Sequence, residues 1–345
     1  MRVGIDARKI ADFGIGTYIR GLLGALAAIR EDDHYIAFAP PDADIPHGIE
    51  HIPIDAPHYS VRELVTVGRA ADRARLDLFH APHYVVPFTS VPVVVTIHDL
   101  IHLHQPPRNP LARLYARTML GRAVRKARRV LTVSESVKRE LQAELGAKDV
   151  VVTPNGIDAP FFADGPKGEG RYFLYAGNDK PHKNVPVLLD AFERIRERSG
   201  ASLVLTGAPF SGGEGIVAPG FVTTAELAAL YRGALAVVLP SSEEGFGLPA
   251  AEAMACGAAV ITSRAAALVE LTGEAALHVD ADAASLAEAM LRVAQDGELR
   301  ARLGSNGRAR AAKLTWMRCA EATRHVYRTA IRDVPLRGTS WNNGA

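Results

Sequence analysis

Residues 235–263 read LAVVLPSSEEGFGLPAAEAMACGAAVITS. A short apolar run, LAVVLP, gives way to a polar loop holding Gly245 and Gly247. An alanine-rich stretch opened by Pro249 follows, and then a second apolar run, AAVITS. Proline at a first helical position is pre-organised for a helix, and Ala250, Ala251, Ala253 and Ala255 let that helix pack closely. Neither apolar run alternates with polar residues, which suits strands covered on both faces, as in parallel sheets. A strand–helix–strand unit of this kind requires a right-handed crossover, so the stretch predicts a doubly wound α/β sheet.

The same alternation extends in both directions. RVGIDA, HYIAFA, DLFHAP, VPVVVTI, RVLTVS and VVVTP read as strands of a first half; RYFLYAG and SLVLTG join LAVVLP and AAVITS in a second. Helical periodicity lies between them over Thr17–Ile29, Val185–Arg196, Thr224–Ala234 and Ala284–Val293. The Pro- and Gly-rich segment Asn155–Gly170 has no helical period and reads as an inter-domain linker. Two Rossmann-like domains are therefore expected, 1–160 and 171–317, facing each other across a cleft. Residues 318–345 are expected to pack back on the first. A chain of 345 residues is long enough for two cores.

Composition narrows the function. With 48% hydrophobic and 23% charged residues the chain is an ordinary folded protein. A net charge of +2 lacks the basic excess of nucleic-acid binders. Cys256 and Cys319 stand alone, which excludes a disulfide scaffold and fits a reducing compartment. No stretch approaches the ~20 apolar residues of a spanning helix, and MRVGIDARK lacks the apolar core of a signal peptide. A cytoplasmic protein is expected. From Ile101 to Ser134 there is no acid but eight bases: Arg108, Arg113, Arg117, Arg122, Arg125, Lys126, Arg128 and Arg129. This segment, 101–134, is either a solvated face or a peripheral contact with the anionic inner face of the plasma membrane.

Open parallel sheets bind ligands at the carboxyl ends of their strands. Four places there carry chemistry. Gly14 and Gly16 precede the first helix and allow a ligand to approach the backbone, although Ile19 replaces the third glycine of a dinucleotide fingerprint. His98 and Asp99 follow VPVVVTI; either they face the ligand, or Asp99 caps the next segment and His98 is a turn residue. Lys183 stands at a helix start, where the macrodipole disfavours a cation unless a phosphate docks. Glu252 is the only charge on the alanine-rich helix, and carboxylates accept hydrogen bonds from sugar hydroxyls. The D-x-D strings at Asp42–Asp44 and Asp280–Asp282 read as loop and cap residues, so no metal is assigned.

Glu244 and Glu252 stand in an E-x7-E arrangement within EEGFGLPAAEAMACGAAVI. With YAGNDKPHKN, VLTVSES, VTPNGID and the GIGTY loop, this resembles the retaining glycosyltransferases of family 4, which have the GT-B fold, over essentially the whole chain. The resemblance implies transfer of a hexose from a nucleotide-diphosphate sugar to a hydroxyl of a glycan or lipid-linked acceptor, without a metal or other cofactor. Its GIGTY and PxKN features lean toward GDP-mannose and cell-surface polysaccharide synthesis. It implies that Lys183 binds phosphate, that Lys180 contributes, and that Asn178 stands where many members have arginine. Glu252 then matches the ribose-binding acid and Glu244 the acid near the donor sugar. Backbone amides of Phe246, Gly247 and Leu248 face the donor, and His98 lies near the reacting centre. LTWMRCAEATRHVY matches the helix that crosses back to the first domain. A nucleotide-sugar epimerase or hydrolase on the same fold, or a non-catalytic nucleotide-sugar-binding subunit, are the alternatives.

Overall fold

The computed structural model describes residues 1–29, 32–56, 60–105 and 110–332. The chain divides into two compact units, Met1–Gly156 with Trp316–Ala345, and Ile157–Thr315. In the first unit the order is β1 (Arg2–Asp6), α1 (Ile15–Ala28), β2 (His34–Ala39), β3 (Glu50–Pro53), α2 (Val61–Arg73) and β4 (Leu78–Ala81). It continues through β5 (Val93–Thr96), α3 (Ile101–His104), α4 (Pro110–Lys126), β6 (Arg129–Thr132), α5 (Glu135–Leu145) and β7 (Val150–Val152). The second unit runs α6 (Ala159–Phe162), β8 (Tyr172–Ala176), α7 (Val185–Ser199), β9 (Ser202–Thr206), β10 (Ile216–Gly220), α8 (Thr224–Gly233) and β11 (Ala236–Leu239). It ends with α9 (Leu248–Ala255), β12 (Val260–Ser263), α10 (Ala266–Thr272), β13 (Ala276–Val279), α11 (Ala283–Gln295) and α12 (Gly297–Ala311). The last helix, α13 (Trp316–Arg332), belongs to the first unit.

All strand pairs named here are parallel. The first sheet has the order β3-β2-β1-β4-β5-β6-β7 and the second β10-β9-β8-β11-β12-β13. The chain order reverses between β1 and β4 in one sheet and between β8 and β11 in the other, and a crevice opens outside the strand ends at each reversal. The central strands β4, β5, β6, β8 and β11 are buried at every residue, which is why their sequences are mostly apolar and do not alternate with exposed positions. Helix starts follow local chemistry. Ser60 with Glu63 and Thr223 with Glu226 form capping boxes on α2 and α8.

In the first unit one face of the sheet packs Tyr18, Leu22 and Leu26 of α1 with Val326 and Tyr327 of α13. Here α13 crosses α1 closely: a Cβ on Gly21 would lie 2.1 Å from the Trp316 ring. The other face packs Val67, Leu120 and Leu141. The second unit's core joins α7 and α11 through Leu188, Phe192, Met290 and Val293.

Three differences from the sequence reading have physical reasons. The expected linker is structured from Ile157 onward, where the Ile157 amide donates to Leu314 at 3.1 Å and Phe161 is buried beside Tyr231. Strands β3, β10 and β13 were not expected; EHIP, IVAPG and ALHV are short and broken by charge, Pro or His. Helix α1 begins at Ile15, ahead of the expected Thr17, with Gly14 at its N-cap. Residues 333–345 of the expected returning segment, and Arg108 of the basic one, lie outside the described residues.

Candidate functional site

In the second unit the crevice between β8 and β11 is floored by two loops. The loop after β8 turns through a 3-10 segment, Pro181–Lys183, and enters α7 through Asn184 in the left-handed region, φ 56°. The loop after β11 enters α9 through Gly247. Backbone and side-chain bonds clamp the two together: the Ser242 amide donates to the His182 carbonyl at 2.8 Å, and Asn184 Nδ2 donates to the Pro240 carbonyl at 3.3 Å. This register sets Lys183 Nζ 2.6 Å from Glu244 Oε1, with both side chains largely buried. The Ser241 hydroxyl donates to the same carboxylate oxygen at 2.8 Å. Lys183 and Glu244, expected to act separately on phosphate and sugar, form an ion pair at the topological switch point.

Asn178 shapes the loop. Its carbonyl accepts from Tyr175 OH at 2.5 Å, and its Oδ1 accepts from the Lys180 amide at 3.2 Å. Lys180 is exposed. Beyond Glu244, Phe246 is buried, and Gly247 takes φ 96°. A Cβ there would be both in a disfavoured conformation and 2.5 Å from Leu268 Cδ2. No side chain caps α9; the Ala250 and Ala251 amides donate to the Gly247 carbonyl at 3.0 and 3.1 Å and Pro249 has no N–H, so the Leu248 amide is the donor at this anion-favouring helix end.

Glu252, one turn into α9, accepts a hydrogen bond from the buried Tyr231 hydroxyl at 3.0 Å. Burial pushes its pKa up to about 8; the Tyr231 bond opposes the shift and Asp158 adds to it. The sequence reading took this group as a carboxylate. Burial favours its neutral form, because the Tyr231 hydrogen bond does not offset the loss of water.

In the first unit, His98 follows β5 and Gly14 and Gly16 open α1. His98 Nε2 lies 3.0 Å from the Pro82 carbonyl, and its ring meets Tyr18 edge-on at 4.8 Å. Burial lowers the His98 pKa, with Asp99 opposing. Asp99, one residue before the Leu100 N-cap of α3, accepts the Ile101 amide on Oδ1 at 3.2 Å, which ties Asp99 to the turn. A Cβ on Gly16 would lie 2.5 Å from the Ile10 carbonyl, which explains the glycine by packing. Gly14, Gly16 and His98 thus belong to one unit, while Asn178, Lys180, Lys183, Glu244, Phe246, Gly247, Leu248 and Glu252 belong to the other.

The D-x-D residues have structural work. Asp282 caps α11, accepting the Ala284 and Ser285 amides at 2.9 Å each, and Asp280 pairs with Arg264 at 3.2 Å. Tyr231, Ser241 and Tyr18 support the site but were not singled out in the sequence, where hydroxyls in apolar helices or beside a loop acid carry no distinguishing pattern.

Known proteins were compared with this geometry. The family described as Glycosyltransferase Family 4 matches residues 14–160, and that described as Glycosyl transferases group 1 matches residues 157–310. The O-antigen chain mannosyltransferase B of Escherichia coli is 28% identical over 284 residues, 73% of this chain and 74% of that protein. The MMP alpha-(1->4)-mannosyltransferase of Mycolicibacterium hassiacum is 32% identical over 250 residues, 66% of this chain and 61% of its own length. A sucrose-phosphate synthase structure from Thermosynechococcus elongatus superposes with a TM-score of 0.81 at 21% identity, over 96% of this chain and all of that one. The fold is that of the GT-B glycosyltransferases. Together the two models span residues 14–310, the first half of the chain matching glycosyltransferase family 4 and the second the group 1 glycosyl transferases.

Proposed function

We propose that this chain is a retaining, metal-independent hexosyltransferase. It moves mannose, with GDP-mannose as the favoured donor, to a hydroxyl of a glycan or lipid-linked acceptor in cell-surface polysaccharide synthesis. The observation that carries the reading is the Lys183–Glu244 pair at the second unit's switch point, beside the uncapped start of α9. A diphosphate suits this place: it takes the Lys183 ammonium from Glu244 and accepts from the Leu248 amide at the helix start. Glu252 then meets the two ribose hydroxyls. The mannosyl preference is supported by the names of the two mannosyltransferases above.

In this reading the bond between the anomeric carbon and the phosphate oxygen breaks, and positive charge grows on the sugar near Glu244. The acceptor oxygen bonds to the anomeric carbon on the face the phosphate leaves, and its proton passes to the departing phosphate. The products are the α- or β-glycoside of unchanged anomeric configuration and a nucleoside diphosphate. No metal is needed because Lys183 and the helix end carry the phosphate charge, while Asp280 and Asp282 are already engaged.

Thermal-shift screening against nucleotides and nucleotide sugars tests the donor; a ligand at a hundred times its dissociation constant stabilises by ~2.7 kcal/mol. NMR of the product's anomeric proton then tests retention. Stabilisation by no nucleotide sugar, release of free sugar without transfer, or activity abolished by chelator and restored by manganese would overturn the corresponding part.

A further inference from the structure

We propose that Asp6, Arg8 and His83 are positioning residues for His98, fixing the turn whose carbonyl decides which of its ring nitrogens carries the proton. The proposal rests on the reading of His98 as a residue of the transfer site.

The first unit's sheet reverses between β1 and β4, and four ionisable side chains are buried at or beside that point. Asp6 ends β1, Arg8 follows it, His83 follows β4, and Glu63 lies in the first turn of α2. Each is at most 4% exposed. Arg8 Nε and Nη2 donate to the two Asp6 oxygens at 2.8 and 2.7 Å, and Nη2 also reaches Glu63 Oε1 at 2.7 Å. Ions buried in this way cost several kcal/mol each to desolvate, and apolar residues of like volume often serve stability as well. Their presence at a ligand-binding switch point asks for a role beyond stability.

Hydrogen-bond direction supplies that role. The Val85 amide donates to His83 Nδ1 at 3.1 Å, so that nitrogen carries no proton. The neutral ring therefore keeps its proton on Nε2, which lies 3.3 Å from Asp6 Oδ2, close enough for the N–H dipole to face the carboxylate but outside good hydrogen-bond alignment. His83 is thus held between Asp6, itself gripped by Arg8, and the backbone two residues ahead. The turn it holds begins at Pro82, whose carbonyl faces His98 Nε2 at 3.0 Å. A carbonyl can only accept. His98 accordingly bears its proton on Nε2 and keeps a lone pair at Nδ1, with Tyr18 bracing the ring. At Nδ1 the residue is a hydrogen-bond acceptor for a hydroxyl. Burial, which lowers the His98 pKa, favours the same neutral form.

The test is long-range 1H–15N NMR of the histidine-labelled full chain, which reads tautomers without reference to turnover. The wild type should show His98 protonated at Nε2. His83→Leu removes both contacts and should mix the His98 tautomers, lowering kcat roughly 10- to 100-fold with donor KM near the wild-type value. Asp6→Asn should give a partial mixture. His83→Asn, whose Oδ1 can still accept the Val85 amide, should keep the tautomer. A wild-type His98 protonated at Nδ1 overturns the proposal, and so does an unchanged tautomer in folded His83→Leu. If His83→Leu does not fold, the wild-type tautomer and the Asp6→Asn spectrum decide. Tautomers that shift as expected with turnover unchanged uphold the positioning and overturn instead the part given to His98 in transfer.

Discussion

Glu244 and Glu252 differ in their partners, and the partners set what each loss should do. Glu244 is compensated by Lys183; in the proposed reading a diphosphate takes Lys183, and the Glu244 charge becomes available to the sugar. Glu244→Gln should chiefly lower kcat, by ~10²-fold, because the stabilisation is strongest where charge develops. Burial pushes Glu252 up to about 8 and favours its protonated form. Ribose hydroxyls favour its ionised form, so donor binding lowers its pKa and releases a proton. By linkage, donor affinity should rise as pH climbs toward 8 and level off above it. Glu252→Gln should abolish that dependence and raise donor KM more than it lowers kcat. Titration calorimetry in buffers of different ionisation enthalpy counts the protons; wild-type binding with no proton release would refute the account. Both acids and Lys183 were legible in the sequence because each belongs to a short local string. Tyr231 was not, since it meets Glu252 from 21 residues away on another helix. The pKa of Glu252 was not either, because burial depends on the packed fold.

Elements repeat this division between local and long-range information. Strands β5, β8 and β11 announce themselves as apolar runs because they are covered on both faces. The edge strands β3 and β10 are partly exposed, and their sequences follow solvent as much as the sheet. Helix α9 was legible from Pro249 and its alanines, yet its exact seating depends on Gly247. Gly247→Ala combines a positive φ with a 2.5 Å approach to Leu268 and should destabilise the second unit by ~1–3 kcal/mol, read by urea denaturation. In the first unit, His80 ties β4 to β5 and α13 through Thr96 at 2.8 Å and Tyr327 at 2.7 Å. Burial holds its pKa down to about 3, with Asp6 opposing the shift. The unfolded chain protonates this ring near 6.5, so between those values the unfolded state binds more protons. The stability His80 contributes is present above 6.5 and is lost as pH falls toward 3. Denaturation midpoints followed across that range should fall less steeply in His80→Gln; an equal slope would remove His80 from the acid response.

Over the whole molecule the charge nearly balances at +2, so where the bases gather matters more than their number. The acid-free segment does not present all of its bases. Arg122 bonds to the Pro87 carbonyl at 3.3 Å and covers the Phe88 ring at 4.5 Å, Arg128 donates to the Ala330 carbonyl at 2.9 Å, and Arg129 is buried. Helix α4 instead exposes Arg113, Arg117, Arg125 and Lys126. At its start Leu111 and Leu114 are 75% and 62% exposed, beside Arg113. Bases next to exposed apolar side chains suit a helix lying in a headgroup layer. Among the described residues no helix is long and apolar enough to cross a membrane. The protein should co-sediment with vesicles rich in anionic lipid at low salt. Each base near such a surface contributes about 1 kcal/mol, so binding should weaken as salt shortens the screening length. Arg113→Glu with Arg117→Glu should remove most of the binding without disturbing the Arg122 contacts. Leu111→Ser with Leu114→Ser should weaken it at both salt concentrations, because insertion of apolar side chains is little screened. Equal binding to neutral vesicles would exclude the basic face as the cause, and no co-sedimentation at either salt would leave α4 a solvated surface.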